Sequence, residues 1–253
     1  MTECVTNRRC LFIEKILLQE YNCNKGGESA IKIIIYHGSD HIIKKPKYGY
    51  GKPYNDYGIG FYCTENPNMA KEWGVGMDHN GYSNQYQIEC EGLTILNLKD
   101  YTMLHWLTVL LENREFDISS PLATEAKEYL IRNFHLDYSS YDIIVGYRAD
   151  DSYFSFASDF INGAISYRQL SNAMHLGKLG QQFVLKSERA FERLEFMGYE
   201  TAECKEWYKK KAFRDKSARR QYFDTRKNRR QKGDLYITTI LDEEMNADDT
   251  RIR

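Results

Sequence analysis

The amino-acid sequence predicts an α+β protein built on a mixed or largely antiparallel sheet. Three observations carry this. Short strand-like runs lie toward both ends of the core, at 31–36, 86–89, 93–98, 141–146 and 182–186, several of them β-branched and continuous. Stretches with apolar residues at helical spacing lie between and around them. Strands and helices do not alternate in a βαβ rhythm, and no GxGxxG sequence opens a helix, which argues against a Rossmann fold.

Each element has its local reason. Phe12, Ile13, Ile16, Leu17 and Tyr21 recur at helical spacing, and the polar, glycine-containing segment Asn22–Glu28 reads as a linker. The run 31–36 (IKIIIY) reads as a buried strand that ends at His37-Gly38-Ser39. A long loop rich in Tyr, Gly and Lys follows, too long for a mere connector, and delivers Gly60-Phe61-Tyr62-Cys63-Thr64. Asn66 is placed to cap a helix over 66–73 with Pro67 at its first turn, where the missing N–H costs nothing. Met103, Leu104, Leu107, Leu110 and Leu111 keep a 3.6-residue period, predicting a helix over 102–114; a second is expected at 123–133, and a third at 187–197 through Ala190, Phe191 and Leu194. The tail 234–245 reads as strand or helix packing back on the body.

At 253 residues, one elaborated domain is expected, with an N-terminal helical segment and linker (1–30), a main domain (31–200) and a basic, aromatic, helical C-terminal extension (201–253). Apolar runs fall far short of the ~20 residues that span a bilayer, and Met1–Arg9 lacks a signal-peptide core, so a cytoplasmic protein is expected. The six cysteines form no CxxC pair and have no histidine at ligand spacing, so no metal site is expected. Net charge is -1, but residues 205–232 hold thirteen Lys or Arg against three acids. Trp207, Tyr208, Phe213, Tyr222 and Phe223 are interleaved there. That mixture suits RNA or single-stranded DNA through phosphate neutralisation and base stacking, and it equally suits a solvated helix packing its aromatics inward.

Tyr36-His37-Gly38-Ser39 at a strand end, the loop DYGIGFYCT at 56–64, YDIIVGYRADD at 141–151 and Gln182 opening a late strand occur in an order that resembles the ADP-ribosyltransferase superfamily. The resemblance is to its His-Tyr branch, shared by the diphtheria-toxin and poly(ADP-ribose) polymerase families, and within it to the bacterial DUF3990 family, over residues 33–196. It implies split mixed and antiparallel sheets around an NAD cleft with flanking helices. It also implies NAD as substrate and a toxin-like, bacterial transferase that modifies a protein or nucleic acid, with an antitoxin or immunity protein as partner. By the same resemblance His37 binds the adenosine ribose, the backbone of Gly38 receives the nicotinamide carboxamide, and Ser39 is counted among the NAD-binding residues. Tyr62 stacks on nicotinamide, and Trp73, eleven residues on, stands where the polymerases carry a second stacking tyrosine.

Gln182 stands where those polymerases carry glutamate, so it can hold a ribose hydroxyl without serving as a base. Single-unit transfer is implied rather than chain elongation. Ala70 replaces a serine that would hold the nicotinamide amide. Asp150 and Asp151 read either as a solvated turn or as the carboxylate for an acceptor. Arg114 reads as a helix-dipole partner, with a structural or phosphate role implied by the family. Hydrolysis of NAD, with water as acceptor, and nucleic-acid binding on a degenerate transferase fold are the other two readings open to this sequence.

Overall fold

A computed structural model describes residues 32–149, 151–176, 180–227 and 230–252, the side chains of residues 151–153 excepted. The helix and linker expected within residues 1–30 lie outside the described residues. Seven strands form one mixed sheet in the order β4-β5-β6-β2-β1-β3-β7. They are β1 (Lys32–Ser39), β2 (Phe61–Thr64), β3 (Gly81–Glu89), β4 (Ile95–Asn97), β5 (Ile143–Gly146), β6 (Gln182–Leu185) and β7 (Leu194–Ala202). Only β4 and β5 run parallel; every other neighbouring pair is antiparallel. The α+β class with a mixed sheet therefore stands, while the expected division into separate sheets is corrected to a single sheet. Its weakest seam is central. β1 pairs with β3 over eight positions, but β1 meets β2 at one register pair, Tyr36 with Thr64.

The helices are α1 (Pro67–Gly74), α2 (Met103–Asn113), α3 (Pro121–Phe134), α4 (Asp151–Ile161), α5 (Tyr167–Ala173), α6 (Glu188–Glu192), α7 (Cys204–Arg226) and α8 (Ile237–Asp242). Asn66 caps α1 as expected, its side chain accepting from Asn68 N at 3.0 Å and Met69 N at 3.3 Å, with Pro67 in the first turn. Residues Met103–Leu111 of α2 are all buried, so this helix is enclosed on every side and its burial extends beyond the one face that its apolar period marks. The short inner strands are buried on both faces. Ile143 and Val145 of β5 and Phe183 and Leu185 of β6 join one core cluster, while Ile144 and Val184 join the other. Continuous apolar runs are the sequence form of such strands. No helix among the described residues is long and apolar enough to cross a membrane.

The helix expected over 187–197 is corrected. It stops at Glu192, and Leu194–Ala202 becomes an edge strand beside β3. Ala190, Phe191 and Leu194 fit a helical period, but from Leu194 onward burial alternates residue by residue, Leu194 and Phe196 turning inward and Glu195 and Met197 outward. Helices α4 and α5, which the apolar pattern left unassigned, fill the core with Phe156, Ala157, Phe160, Ile161 and Leu170.

Helix α1 lies against β1 at the central seam, and Gly38 permits it. A Cβ there would stand 1.9 Å from the Ala70 carbonyl oxygen and 2.8 Å from Trp73 Cβ. Gly38→Ala should therefore destabilise the fold by on the order of 3 kcal/mol through forced separation of strand and helix. The check is a urea unfolding midpoint, and a midpoint equal to the wild type would contradict this packing.

Candidate functional site

Beyond the Tyr36–Thr64 pair the sheet opens, and a cleft of about 890 Å³ occupies the opening. His37, Gly38, Tyr62, Trp73, Arg114 and Gln182 all border it. Six of the expected site residues, from five separate elements, thus meet at one place. Ser39 does not border it: its hydroxyl donates to the His41 carbonyl at 2.5 Å and accepts from Asn84 Nδ2 at 3.0 Å. Asp150 lies outside the described residues, and Asp151 opens α4 with its side chain outside the description as well.

His37 bridges the opening. Its Nδ1 donates to the Tyr62 carbonyl at 2.7 Å, which fixes the tautomer because a carbonyl oxygen only accepts. The ring stacks on Phe61 with centroids 4.3 Å apart. Burial, with a smaller push from the nearby His41 and against the Tyr62 bond, lowers its pKa from 6.5 to about 4. At neutral pH the imidazole is therefore uncharged, and Nε2 is an acceptor.

Tyr62 is fixed at both ends. Its ring packs on the main core, and its hydroxyl donates to the Gly58 carbonyl at 2.6 Å while accepting from Tyr57 N at 3.1 Å. Burial pushes the phenol well above its ordinary pKa, so it stays protonated. This anchorage needs Gly58, whose φ of +69° favours glycine, and Lys186 clamps the same turn by donating to the carbonyls of Tyr57 and Ile59, each at 2.6 Å. Trp73, on α1, also packs partly on the core; the guanidinium of Arg148 lies over its ring, 4.1 Å from the centroid. Its Nε1 is buried with no hydrogen-bond partner among the described residues.

Gln182 is the first residue of β6, paired with Thr64 on one side and Gly146 on the other, and only 6% exposed. Its Oε1 is buried with no hydrogen-bond partner among the described residues. Gln181 has a buried, unpartnered Oε1 too, but it does not border the cleft, as strand alternation predicts.

Several participants were not singled out in the sequence. Asp56, 5% exposed, receives Arg114 Nη1 at 3.0 Å and Ala149 N at 2.9 Å, so Arg114 leaves its helix end to form an ion pair on the cleft wall. Fully buried Asn84 holds the long loop in place, accepting from Ile43 N at 2.9 Å and donating to the His41 carbonyl at 3.2 Å. Asp56 and Arg148 sit inside the motifs DYGIGFYCT and YRADD, and their position there was the only signal; Asn84 had none.

Among the described residues, seven cations border the cleft, Lys45, Lys47, Lys52, Arg114, Arg148, Lys211 and Arg219, against the carboxylates Asp56 and Asp215. Among the described residues no cluster of three or more His, Cys, Asp or Glu side chains can hold a metal ion. The cleft at the opened seam is thus aromatic, amide-bearing and rich in cations. Residues 33–196 match the family described as protein of unknown function DUF3990, and with well over half its length matched the chain belongs to that family. No curated protein and no solved structure matches it.

The buried, uncharged His37 makes stability depend on pH. Between about pH 6.5 and 4 the unfolded chain binds a proton at His37 that the folded chain does not, so stability falls as pH falls through that window. The loss at full titration is roughly 3 kcal/mol. His37→Asn, which cannot titrate, should lose less of its urea midpoint than wild type between pH 7 and 4.5. Equal losses in the two proteins would mean that His37 is charged in the fold.

Proposed function

We propose that this chain is an NAD-consuming mono-ADP-ribosyltransferase acting on a macromolecular acceptor, protein or nucleic acid. The observation that carries the reading is Gln182, whose buried amide oxygen has no partner among the described residues and stands at the cleft with His37, Tyr62 and Trp73. Leaving such an acceptor unsatisfied costs about 1–3 kcal/mol, which a bound hydroxyl donor would recover. The nicotinamide ribose 2′-hydroxyl is a donor of this kind. The Nε2 of His37 suits a hydroxyl of the second ribose, the cations suit the pyrophosphate, and the ring of Trp73 already accommodates one planar cation in Arg148. A pyridinium is another.

In the reaction the bond between ribose C1′ and the nicotinamide nitrogen breaks, and its electron pair leaves with nicotinamide. A lone pair of the acceptor forms the new bond to C1′, and the acceptor proton passes to solvent. Positive charge develops on the ribose as the leaving group departs. Gln182, accepting from the 2′-hydroxyl, orients the ring and places a dipole's negative end nearby. Both described carboxylates on the wall are paired, Asp56 with Arg114 and Asp215 with Arg214, so the reading calls for an acceptor that is nucleophilic without their help. A second reading, NAD hydrolysis, draws support from α7, which borders the cleft and leaves water as the least hindered acceptor.

Purified full-length chain with NAD should release nicotinamide, and labelled ADP-ribose appearing on protein, RNA or free in solution separates transfer from hydrolysis. Gln182→Ala should lower turnover by ~10² to 10³ with little change in NAD affinity, because oriented contacts of this type count most in the transition state. Gln182→Glu should preserve or raise release, and Gln181→Ala should behave as wild type. Absence of nicotinamide release under every acceptor condition would end the transferase and hydrolase readings together.

A further inference from the structure

Helix α7 lies beyond residue 196, outside the segment shared with the family, yet it borders the cleft. At 23 residues and about 1.5 Å per residue it is ~35 Å long, and it is fixed near both ends to different parts of the body. Near its start, Trp207 lies under Lys71 of α1 at 5.0 Å, and midway along it Arg214 Nε meets Glu72 of α1 at 2.7 Å, both of these last side chains largely buried. Near its end, Tyr222 stacks on Phe156 of α4 at 3.8 Å, Arg226 pairs with Asp159 at 3.2 Å, and the Thr225 carbonyl accepts from Gln169 of α5 at 3.2 Å. The middle residues that border the cleft are Lys211, Asp215 and Arg219. Their spacing of four puts them on one stripe of the helix. The Asp215 carboxylate is held by Arg214 at 3.0 Å, so the stripe presents net positive charge.

We infer that α7 is a wall of the ligand site supplied by this chain beyond its family segment, and that Lys211 and Arg219 hold the pyrophosphate of the bound ligand. The identity of that ligand as NAD rests on the function proposed above; its pyrophosphate chemistry rests on the charge of the wall. Lys211 is half-buried at the cleft, where lowered solvent screening strengthens its attraction for phosphate. Gln182, Tyr62 and Trp73 line other parts of the same cleft, so one ligand with a planar end and an anionic middle can meet both sets of residues.

The test is calorimetric binding of NAD, ADP-ribose, nicotinamide and inorganic pyrophosphate to full-length wild type, Lys211→Gln, Arg219→Gln and the double variant Lys216→Gln/Arg220→Gln. Lys216 and Arg220 are exposed and lie off the stripe, so that last protein controls for loss of charge alone. Expected is a loss on the order of tenfold for NAD and ADP-ribose in each stripe variant, with nicotinamide unchanged and the control within twofold of wild type. Stripe variants that bind ADP-ribose and pyrophosphate as wild type does, or a control that loses as much as they do, would overturn the inference while leaving an NAD site intact. Pyrophosphate binding that depends on Lys211 and Arg219, in a protein that takes neither NAD nor ADP-ribose, would uphold the wall and overturn the NAD reading.

Discussion

The hydrogen bond from His37 Nδ1 to the Tyr62 carbonyl spans the place where β1 and β2 part, and the rest of the site is arranged around it. A sheet closed by backbone pairing at this point would have no room for a ligand. A sheet opened with nothing across the gap would strand a buried carbonyl, a cost protein interiors avoid. One imidazole resolves both demands, because its donor satisfies the carbonyl while its ring keeps the strands apart. The same bond commits the proton to Nδ1, so the other nitrogen can only accept while the ring is neutral. Geometry and chemistry are set by a single contact.

Around that seam the protein distributes rigidity unevenly. Tyr62, Lys186, Asn84 and Asp56 tie loop backbone to strand or helix through buried hydrogen bonds. The polar atoms left unsatisfied among described cleft residues include Gln182 Oε1 and Trp73 Nε1, and each is a group that a bound partner could satisfy. The charge polarisation of the chain has a related logic. The basic C-terminal stretch is not a detached arm, since Trp207, Ala218 and Tyr222 bury one side of α7, while Phe213 and Phe223 stay exposed among the outer cations.

Much of this was legible because local physics matched global structure. The Asn66–Pro67 start of α1, the apolar period of α2 and the uninterrupted runs of β5 and β6 each report a constraint that acts within a few residues. So does the order of the motifs, which brought His37, Tyr62, Trp73 and Gln182 to one cleft. The misreadings have physical causes as well. Ala190, Phe191 and Leu194 satisfy helical and strand periods alike, and only pairing with β3 decides between them. Asp56 and Arg114 are 58 positions apart, Glu72 and Arg214 are 142 apart, and no local pattern announces a partner at such range. Ser39 looked equivalent to its neighbours until Asn84 and the His41 carbonyl claimed its hydroxyl.

That long separation between α1 and α7 also orders events in time. During synthesis β1, β2 and α1 emerge early and β6 considerably later, but the cleft keeps one side missing until the segment through Arg226 has cleared the ribosome. A nascent chain therefore carries the aromatic and amide part of the cleft without Lys211 and Arg219, and premature termination before α7 yields a chain whose family segment is whole and whose cleft lacks one side. The arrival of α7 is the step that completes the cleft.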